Sequence, residues 1–531
     1  MKRWTAWILA AVLLFALVPF AGAAFTDADA IGKTNRDAVD YISAKGVISG
    51  FPDGSFKPAE TLTRAQAAKI LCVMLEGADK ANALTNKDTG FADVPASHWA
   101  ARFVAYCAEK GIVAGVGNGS FNPDGTLTAT AFSKMLLVAF GHAKAEELTG
   151  GEWLANTQKA LRAKHFDWRT NTIGNDPTTR ENACRLAYNV LLDAENAKIE
   201  PEAYKETTIS FTDGKSYRLL GRASQAEDGV ICDGSADGLE FKVVCKGNIT
   251  LTANTEIAMN SCLRFRVIVD GDPGDQFALR TAGDRTDVAF ASIPAGEHTV
   301  RIIRDSGVSR SRDVLKSVTL SCKPETVQPT AQKALYMQAI GDSGSAGFGV
   351  IPTDTPNVTT NSDSIILADP YLIAEALDMD YDFTVKGSQG FVRKAGKPTA
   401  YNYREVYEYR NRWRDPETKF DFPRKADLVT IQISANDQRY KKEEIRAGAK
   451  EMLQMVRAHN GSDVKIVLIV ANNRYQHLLE LGRELAAEDP NVYVVEYESI
   501  RDGMGKHSSA NSHVIKSKAI LEVVKPLFGK N

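Results

Sequence analysis

The feature that most constrains this chain is a block that occurs twice. Gly46-Val-Ile-Ser-Gly50 recurs as Gly111-Ile-Val-Ala-Gly115, Asp53-Gly-Ser-Phe-Lys-Pro58 as Asn118-Gly-Ser-Phe-Asn-Pro123, and Thr61-Leu-Thr63 as Thr126-Leu-Thr128, all at one offset. Phe25-Thr-Asp27 and Phe91-Ala-Asp93 open the two copies. Each copy predicts a first helix (35–45 and 99–110) ending at a glycine suited to a left-handed cap, then an Asp-Gly or Asn-Gly turn. Thr63 or Thr128 then caps a second amphipathic helix. A divergent third copy follows, with helices over 153–164 and 182–193 and the turn Gly174-Asn-Asp-Pro177 between them. A single helix pair cannot bury its own apolar face, so the three units should stack.

The residues opening the second helices, Thr63-Arg64-Ala65-Gln66, Thr128-Ala129-Thr130-Ala131 and Thr179-Arg180-Glu181-Asn182, resemble the Thr-Arg-Ala-Glu motif of S-layer homology domains. That resemblance implies a wall anchor: three repeats packed as a helix-rich pseudo-trimer whose grooves hold an anionic secondary cell-wall polysaccharide. It carries Arg64 and Arg180 over as polysaccharide contacts, since a guanidinium fork suits a carboxylate. The second copy has Ala129 at the arginine position.

The ends and the composition set the compartment. Residues 1–24 read as a cleaved secretory signal: Lys2 and Arg3, an apolar run, then Ala21-Gly-Ala23. That run is shorter than the ~20 residues a spanning helix needs, so the expectation is a secreted, wall-attached bacterial protein with no membrane span once mature. Lys and Arg total 64 against 66 Asp and Glu, a balance that argues against nucleic acid as the main partner. Seven cysteines are too few for a disulfide scaffold at this length. Cys72, Cys107 and Cys184 sit in helical apolar patterns, whereas Cys232, Cys245, Cys262 and Cys322 lie in a strand-rich stretch and are candidates for pairing.

From 204 to 325 short β-rich runs alternate with Gly, Pro and Asp turns, predicting a β-sandwich of jelly-roll type. From 331 to 531 apolar strands (336–340, 428–433, 464–470, 492–495) alternate with helices (442–459, 474–488). That order predicts an α/β domain with a parallel sheet, helices on both faces, and chemistry at the carboxyl ends of the strands.

The first of these strands ends in Ile340-Gly-Asp-Ser343, placing a serine hydroxyl where strand is expected to turn to helix. Other strand ends read Gly387-Ser-Gln-Gly390 and Ser434-Ala-Asn-Asp437, and the last loop reads Gly505-Lys-His507. A serine nucleophile needs a base, and histidine is the usual choice near neutral pH. Asp342 is expected to fix the turn rather than act as base, and His513 to be a surface residue at the start of the last helix.

These blocks resemble, in order, the SGNH (GDSL-type) hydrolases. The resemblance implies Ser343 as nucleophile, His507 as general base, and Gly390 and Asn436 lining the oxyanion hole with the N–H of Ser343. Gly387 is an alternative to Gly390. Upstream, Gly221-Arg222, Asp233-Gly-Ser-Ala-Asp-Gly-Leu-Glu-Phe241 and Gly296-Glu-His-Thr-Val300 resemble the jelly roll that precedes the SGNH domain in carbohydrate esterase family two. That family removes acetyl groups from glycans and needs no cofactor or metal.

The sequence departs from the family at two places. Ser434 stands where the asparagine block usually begins with glycine. The aspartate usually found before the histidine and the proline after it are replaced by Met504, Gly505 and Ser508. His507 is then oriented either by a backbone carbonyl or by Asp502, the alternative third member.

The expected layout is a signal (1–24), repeats at 25–85, 86–145 and 146–200, a jelly roll (204–325) and an SGNH domain (331–531). The function implied is a wall-anchored carbohydrate O-acetylesterase acting on acetylated polysaccharide, xylan- or mannan-type or wall glycan. The alternative is a catalytically weak or inactive wall protein that binds glycan with the same fold. The loops at 352–363 and 394–413, with Tyr401, Tyr403, Tyr407, Tyr409 and Trp413, are candidates for sugar stacking.

Overall fold

A computed structural model describes residues 25–164, 166–167, 170, 174–196, 204–256, 263–279, 281–308, 312–352, 362–392 and 401–530. The expected signal, Cys262 and parts of the two candidate sugar-stacking loops, 353–361 and 394–400, lie outside these residues. The chain divides into two units, Met1–Glu195 and Asn196–Asn531.

The first unit holds the three predicted helix pairs. Their first helices are Arg36–Ala44, Ala101–Glu109 and Trp153–Ala163, and their second helices Arg64–Glu76, Ala129–Ala139 and Arg180–Asn196. Thr63 and Gln66 form a full capping box, and Thr128 accepts from the backbone N–H of Ala131. Gly46 and Gly111 adopt the positive φ, 67° and 68°, predicted for helix-ending glycines. The opening Phe-x-Asp blocks serve the turns: Asp27 accepts the N–H groups of Phe56 and Lys57, and Asp93 those of Phe121 and Asn122.

The centre of this unit is not helical. Leu62 N–H donates to Thr178 O at 3.0 Å, Thr178 N–H to Leu127 O at 2.9 Å, and Leu127 N–H to Leu62 O at 2.9 Å. Three short extended segments, one per repeat, thereby close a ring of backbone hydrogen bonds. The divergent third copy is thus an equal partner in the assembly. Phe56, Phe121, Leu62, Leu127 and the inner faces of the second helices share one apolar core.

The second unit begins with a ten-stranded antiparallel sheet. The expected two-sheet sandwich is, in its hydrogen bonding, one continuous sheet. Its two longest strands, Gly238–Thr255 and Gly283–Arg304, pair antiparallel with register shifts near Gly247 and Ile249. Such bulges bend a strand and sharpen its twist. Cys245 and Cys322 face each other across two neighbouring strands, both as buried thiols.

A five-stranded parallel sheet follows. Its strands in chain order are Leu335–Gly341, Met379–Val385, Leu428–Gln432, Lys465–Ala471 and Val492–Tyr497, and in space the order is second, first, third, fourth, fifth. Two apolar cores flank it: one takes residues from helices Asp369–Ala376 and Ala510–Leu527, the other from Lys442–Asn460 and Gln476–Glu488. This is the doubly wound arrangement expected, and its switch point lies between the first and third strands.

The edge strand Met379–Val385 carries alternating aspartates, which mask it as a strand in sequence. The structure explains them. Arg222, from the antiparallel sheet domain, donates to Asp382 at 2.8 Å, and Arg218 donates to Asp380 at 2.7 Å. Arg301 spans Glu240 and Glu375, both at 2.6 Å. The seam between the two domains of this unit is therefore a line of buried and half-buried ion pairs.

Candidate active site

Ser343 follows the first parallel strand, and Asn436 follows the third, so the switch point brings both to one crevice. The segment after Ser343 is a succession of turns through Gly349 rather than the expected helix. Asp342 holds it: one carboxylate oxygen accepts the N–H of Gly344 at 2.9 Å and its backbone carbonyl accepts from Ser345 and Ala346. This is the turn-fixing role expected of Asp342.

His507 Nε2 lies 3.1 Å from Ser343 Oγ, and His507 Nδ1 lies 3.1 Å from the carbonyl of Gly505. A carbonyl only accepts, so this contact assigns the proton to Nδ1 and leaves Nε2 to accept from the serine. Gly505 takes φ 58°, a left-handed conformation that folds its carbonyl back toward the ring two residues on. The Phe348 ring meets the imidazole edge at 5.0 Å.

Asp502, the alternative third member, is engaged by other partners. One of its oxygens accepts from Ser509 N at 2.9 Å and Ser512 Oγ at 2.7 Å, and the other from Ser509 Oγ at 2.6 Å. These hydroxyl bonds from Ser509 and Ser512 hold its carboxyl down to about 2. Asp502 braces the start of helix Ala510–Leu527, and the carbonyl of Gly505 is the group on His507.

Asn436 lines the same cavity as Ser343 and His507, but its amide is already engaged. Nδ2 donates to Gln389 O at 2.8 Å and to Ser434 Oγ at 2.9 Å. Ser434 in turn donates to the second oxygen of Asp342 at 2.6 Å. The serine that replaces a glycine of the family thus links the nucleophile turn to the asparagine loop. Gly390 directly follows Gln389, and a side chain there would sit 2.5 Å from Asp437, whose buried carboxyl is pushed up to about 6. Asp437 accepts the N–H groups of Phe391 and Val392, so the glycine lets this loop close. Gly387 lies near Ser343: a Cβ added at this glycine would stand 3.6 Å from the serine Cβ.

The cavity is about 350 Å³ and is also lined by Arg474, Tyr475 and Arg501, which no sequence motif singles out. His513 is overturned as a surface residue. It is 2% exposed and contacts Asp369, which also receives Lys516 at 3.1 Å; Lys516 reaches Gln432 of the cavity wall at 2.8 Å. Its polar character suggested a surface helix, yet it shares a buried carboxylate with Lys516. Of the candidate stacking aromatics, Tyr403 and Tyr407 are buried in the core, with hydroxyls bonded to Gln432 O and Gln338.

Arg64 and Arg180 are placed alike. Arg64 donates through Nε to Phe121 O at 2.8 Å and through Nη2 to Ala114 O at 2.7 Å, and lies over the Phe121 ring. Arg180 donates to Phe56 O at 2.9 Å and Ser49 O at 2.8 Å, over the rings of Phe51 and Phe56. Each arginine reaches from its own repeat into the turn of a neighbouring repeat.

Comparison with known proteins agrees with this division. The S-layer homology domain family matches residues 24–68 and 90–128. An S-layer protein of Bacillus licheniformis is 28% identical over 267 residues, 47% of this chain and 29% of that protein. The chain therefore spans under a third of that relative's length. A family two carbohydrate esterase from Clostridium thermocellum, solved in complex with cellohexaose, is similar over 59% of this chain and 99% of its own, with TM-score 0.51 and 17% identity. An acetyl xylan esterase from the rumen bacterium Butyrivibrio proteoclasticus is similar over 61% and 99%, with TM-score 0.54 and 16% identity. At such identities the likeness is one of fold. Two N-terminal segments thus match the S-layer homology domain family, and the part that follows the repeats has the fold of the family two carbohydrate esterases.

Proposed function

We propose that this protein is a carbohydrate O-acetylesterase displayed on a bacterial cell surface and held there by its repeats. The observation that carries the chemistry is the 3.1 Å contact between Ser343 Oγ and His507 Nε2 in an open cavity at the switch point. His507 takes the proton of Ser343 as the oxygen attacks the acetyl carbonyl. The N–H of Ser343, the N–H of Gly390 and Asn436 Nδ2 are the proposed oxyanion donors, each worth ~3 kcal/mol where such donors have been removed. His507 then gives that proton to the leaving sugar oxygen as its bond to the acetyl carbon breaks, and a water activated by the same ring cleaves the acetyl-serine to acetate and free Ser343.

The carbonyl of Gly505 fixes the tautomer of His507 as a carboxylate would, with less stabilisation of the imidazolium. A second reading, a weak enzyme or a glycan binder, draws on a specific observation. Both hydrogens of Asn436 Nδ2 are engaged, so the amide must exchange one bond to serve an oxyanion. Acetate release from acetylated xylan and p-nitrophenyl acetate separates the two: turnover lost in Ser343→Ala supports the esterase, and no turnover in the wild type favours the binder.

The anchoring role rests on the repeats. We assign Arg64 and Arg180 as contacts to an anionic wall polysaccharide. Retention on purified wall sacculi should fall in an Arg64→Lys/Arg180→Lys variant that melts like the wild type. Equal retention would withdraw the assignment.

A further inference from the structure

Arg474 and Arg501 line the cavity that holds Ser343 and His507. They leave the carboxyl ends of two adjacent parallel strands, Lys465–Ala471 and Val492–Tyr497. Both are exposed, and neither has a carboxylate or hydrogen-bond partner among the described residues. Three other arginines of this domain do find acids: Arg446 meets Glu484 and Glu488, Arg457 meets Asp489, and Arg483 meets Glu496. The carboxylate in the cavity lining is Asp342, and Gly344 and Ser434 occupy its two oxygens.

Two like charges around one small concavity raise its positive potential and draw anions toward it. A guanidinium fork pairs best with a carboxylate, through two parallel hydrogen bonds. A neutral acetylated glycan offers neither arginine such a partner. We infer that this cavity selects ligands bearing a carboxylate close to the ester, with Arg474 and Arg501 as the residues that read it. A uronic-acid-bearing acetylated glycan has that chemistry on its sugar, and a dicarboxylic half-ester has it on its acyl group. That the bound group is hydrolysed rests on the esterase reading above; the charge preference itself does not.

Binding therefore tests the inference first. Ser343→Ala protein is titrated calorimetrically with acetylated oligogalacturonide and with acetylated xylo-oligosaccharide, and compared with the same protein carrying Arg474→Gln and Arg501→Gln. The acidic oligomer should bind at least ~10-fold tighter than the neutral one, lose that margin in the double glutamine variant, and weaken as salt rises. Equal affinity for the two oligomers, or a margin untouched by the substitutions, overturns the inference.

In protein with Ser343 intact, the ratio of kcat/KM for the acidic over the neutral oligomer should fall at least ~10-fold in the double variant. A preference for p-nitrophenyl hemisuccinate over p-nitrophenyl acetate, lost in the same variant, would place the carboxylate on the acyl group instead of the sugar. If no ester is turned over but the acidic oligomer still binds selectively, the esterase reading fails and this one stands.

Discussion

Arginine is used in opposite ways in the two units. In the repeat unit, Arg64 and Arg180 donate to backbone carbonyls of a neighbouring repeat and lie on its phenylalanines. In the second unit, Arg222 and Arg301 face carboxylates at a seam. A carbonyl satisfies a guanidinium without neutralising it, so each repeat arginine stitches repeats together without an acidic partner, Arg180 in a buried setting and Arg64 in a half-buried one. At the seam, both charges are withdrawn from water and each depends on the other. The two sites should therefore respond differently to truncation.

The seam should suffer most. Arg222→Ala leaves Asp382, which is fully buried, without its ion pair. Such uncompensated burial costs about 3–5 kcal/mol, so chemical denaturation of Asn196–Asn531 should shift by that much. A loss under about 1 kcal/mol would show that the seam is not built on this pair.

Next is Glu240. Burial opposes its charge, but Arg301, Thr330 and Arg218 overcome this and hold its carboxyl down to about 2, against an ordinary 4.5. The folded value is the lower one, so this stabilisation is complete above about 4.5 and is lost as pH falls toward 2. Glu240→Gln should cost about 3 kcal/mol at pH 7 and flatten the acid limb of the stability profile. An unchanged acid limb would assign the acid sensitivity to other carboxyls.

The repeat arginines should matter less. Arg180→Ala removes two carbonyl partners in a buried setting and should cost about 1–3 kcal/mol, with Arg64→Ala lower because its site is more exposed. Thermal melts in which Arg64→Ala is the costlier change would reverse the expected order.

The smallest effect is expected at Asp502. Because the carbonyl of Gly505 holds His507, Asp502→Asn should lower kcat less than ~3-fold, against ~10⁴-fold where an orienting acid is lost. A loss of that larger size would return Asp502 to the catalytic group.

Much of this was legible in sequence because it depends on local rules. The capping threonines and the helix-ending glycines follow from spacing, and the resemblance of the strand-end and last-loop blocks to SGNH hydrolases picked out Ser343, His507 and Asn436, which line one cavity. What stayed hidden depends on partners distant in the chain. Asp380 and Asp382 look unsuited to a sheet until Arg218 and Arg222 are seen opposite them. His513 looks like a surface residue until Asp369 meets it. Ser434 reads as a departure from a glycine until its hydroxyl is found between Asp342 and Asn436.

Covalent trapping tests the central claim most directly. Incubated with a fluorophosphonate and analysed by peptide mass spectrometry, the wild-type protein should carry one adduct, on Ser343, formed slowly in His507→Ala and absent in Ser343→Ala. No adduct on the wild type, or an adduct on another serine, would contradict the account.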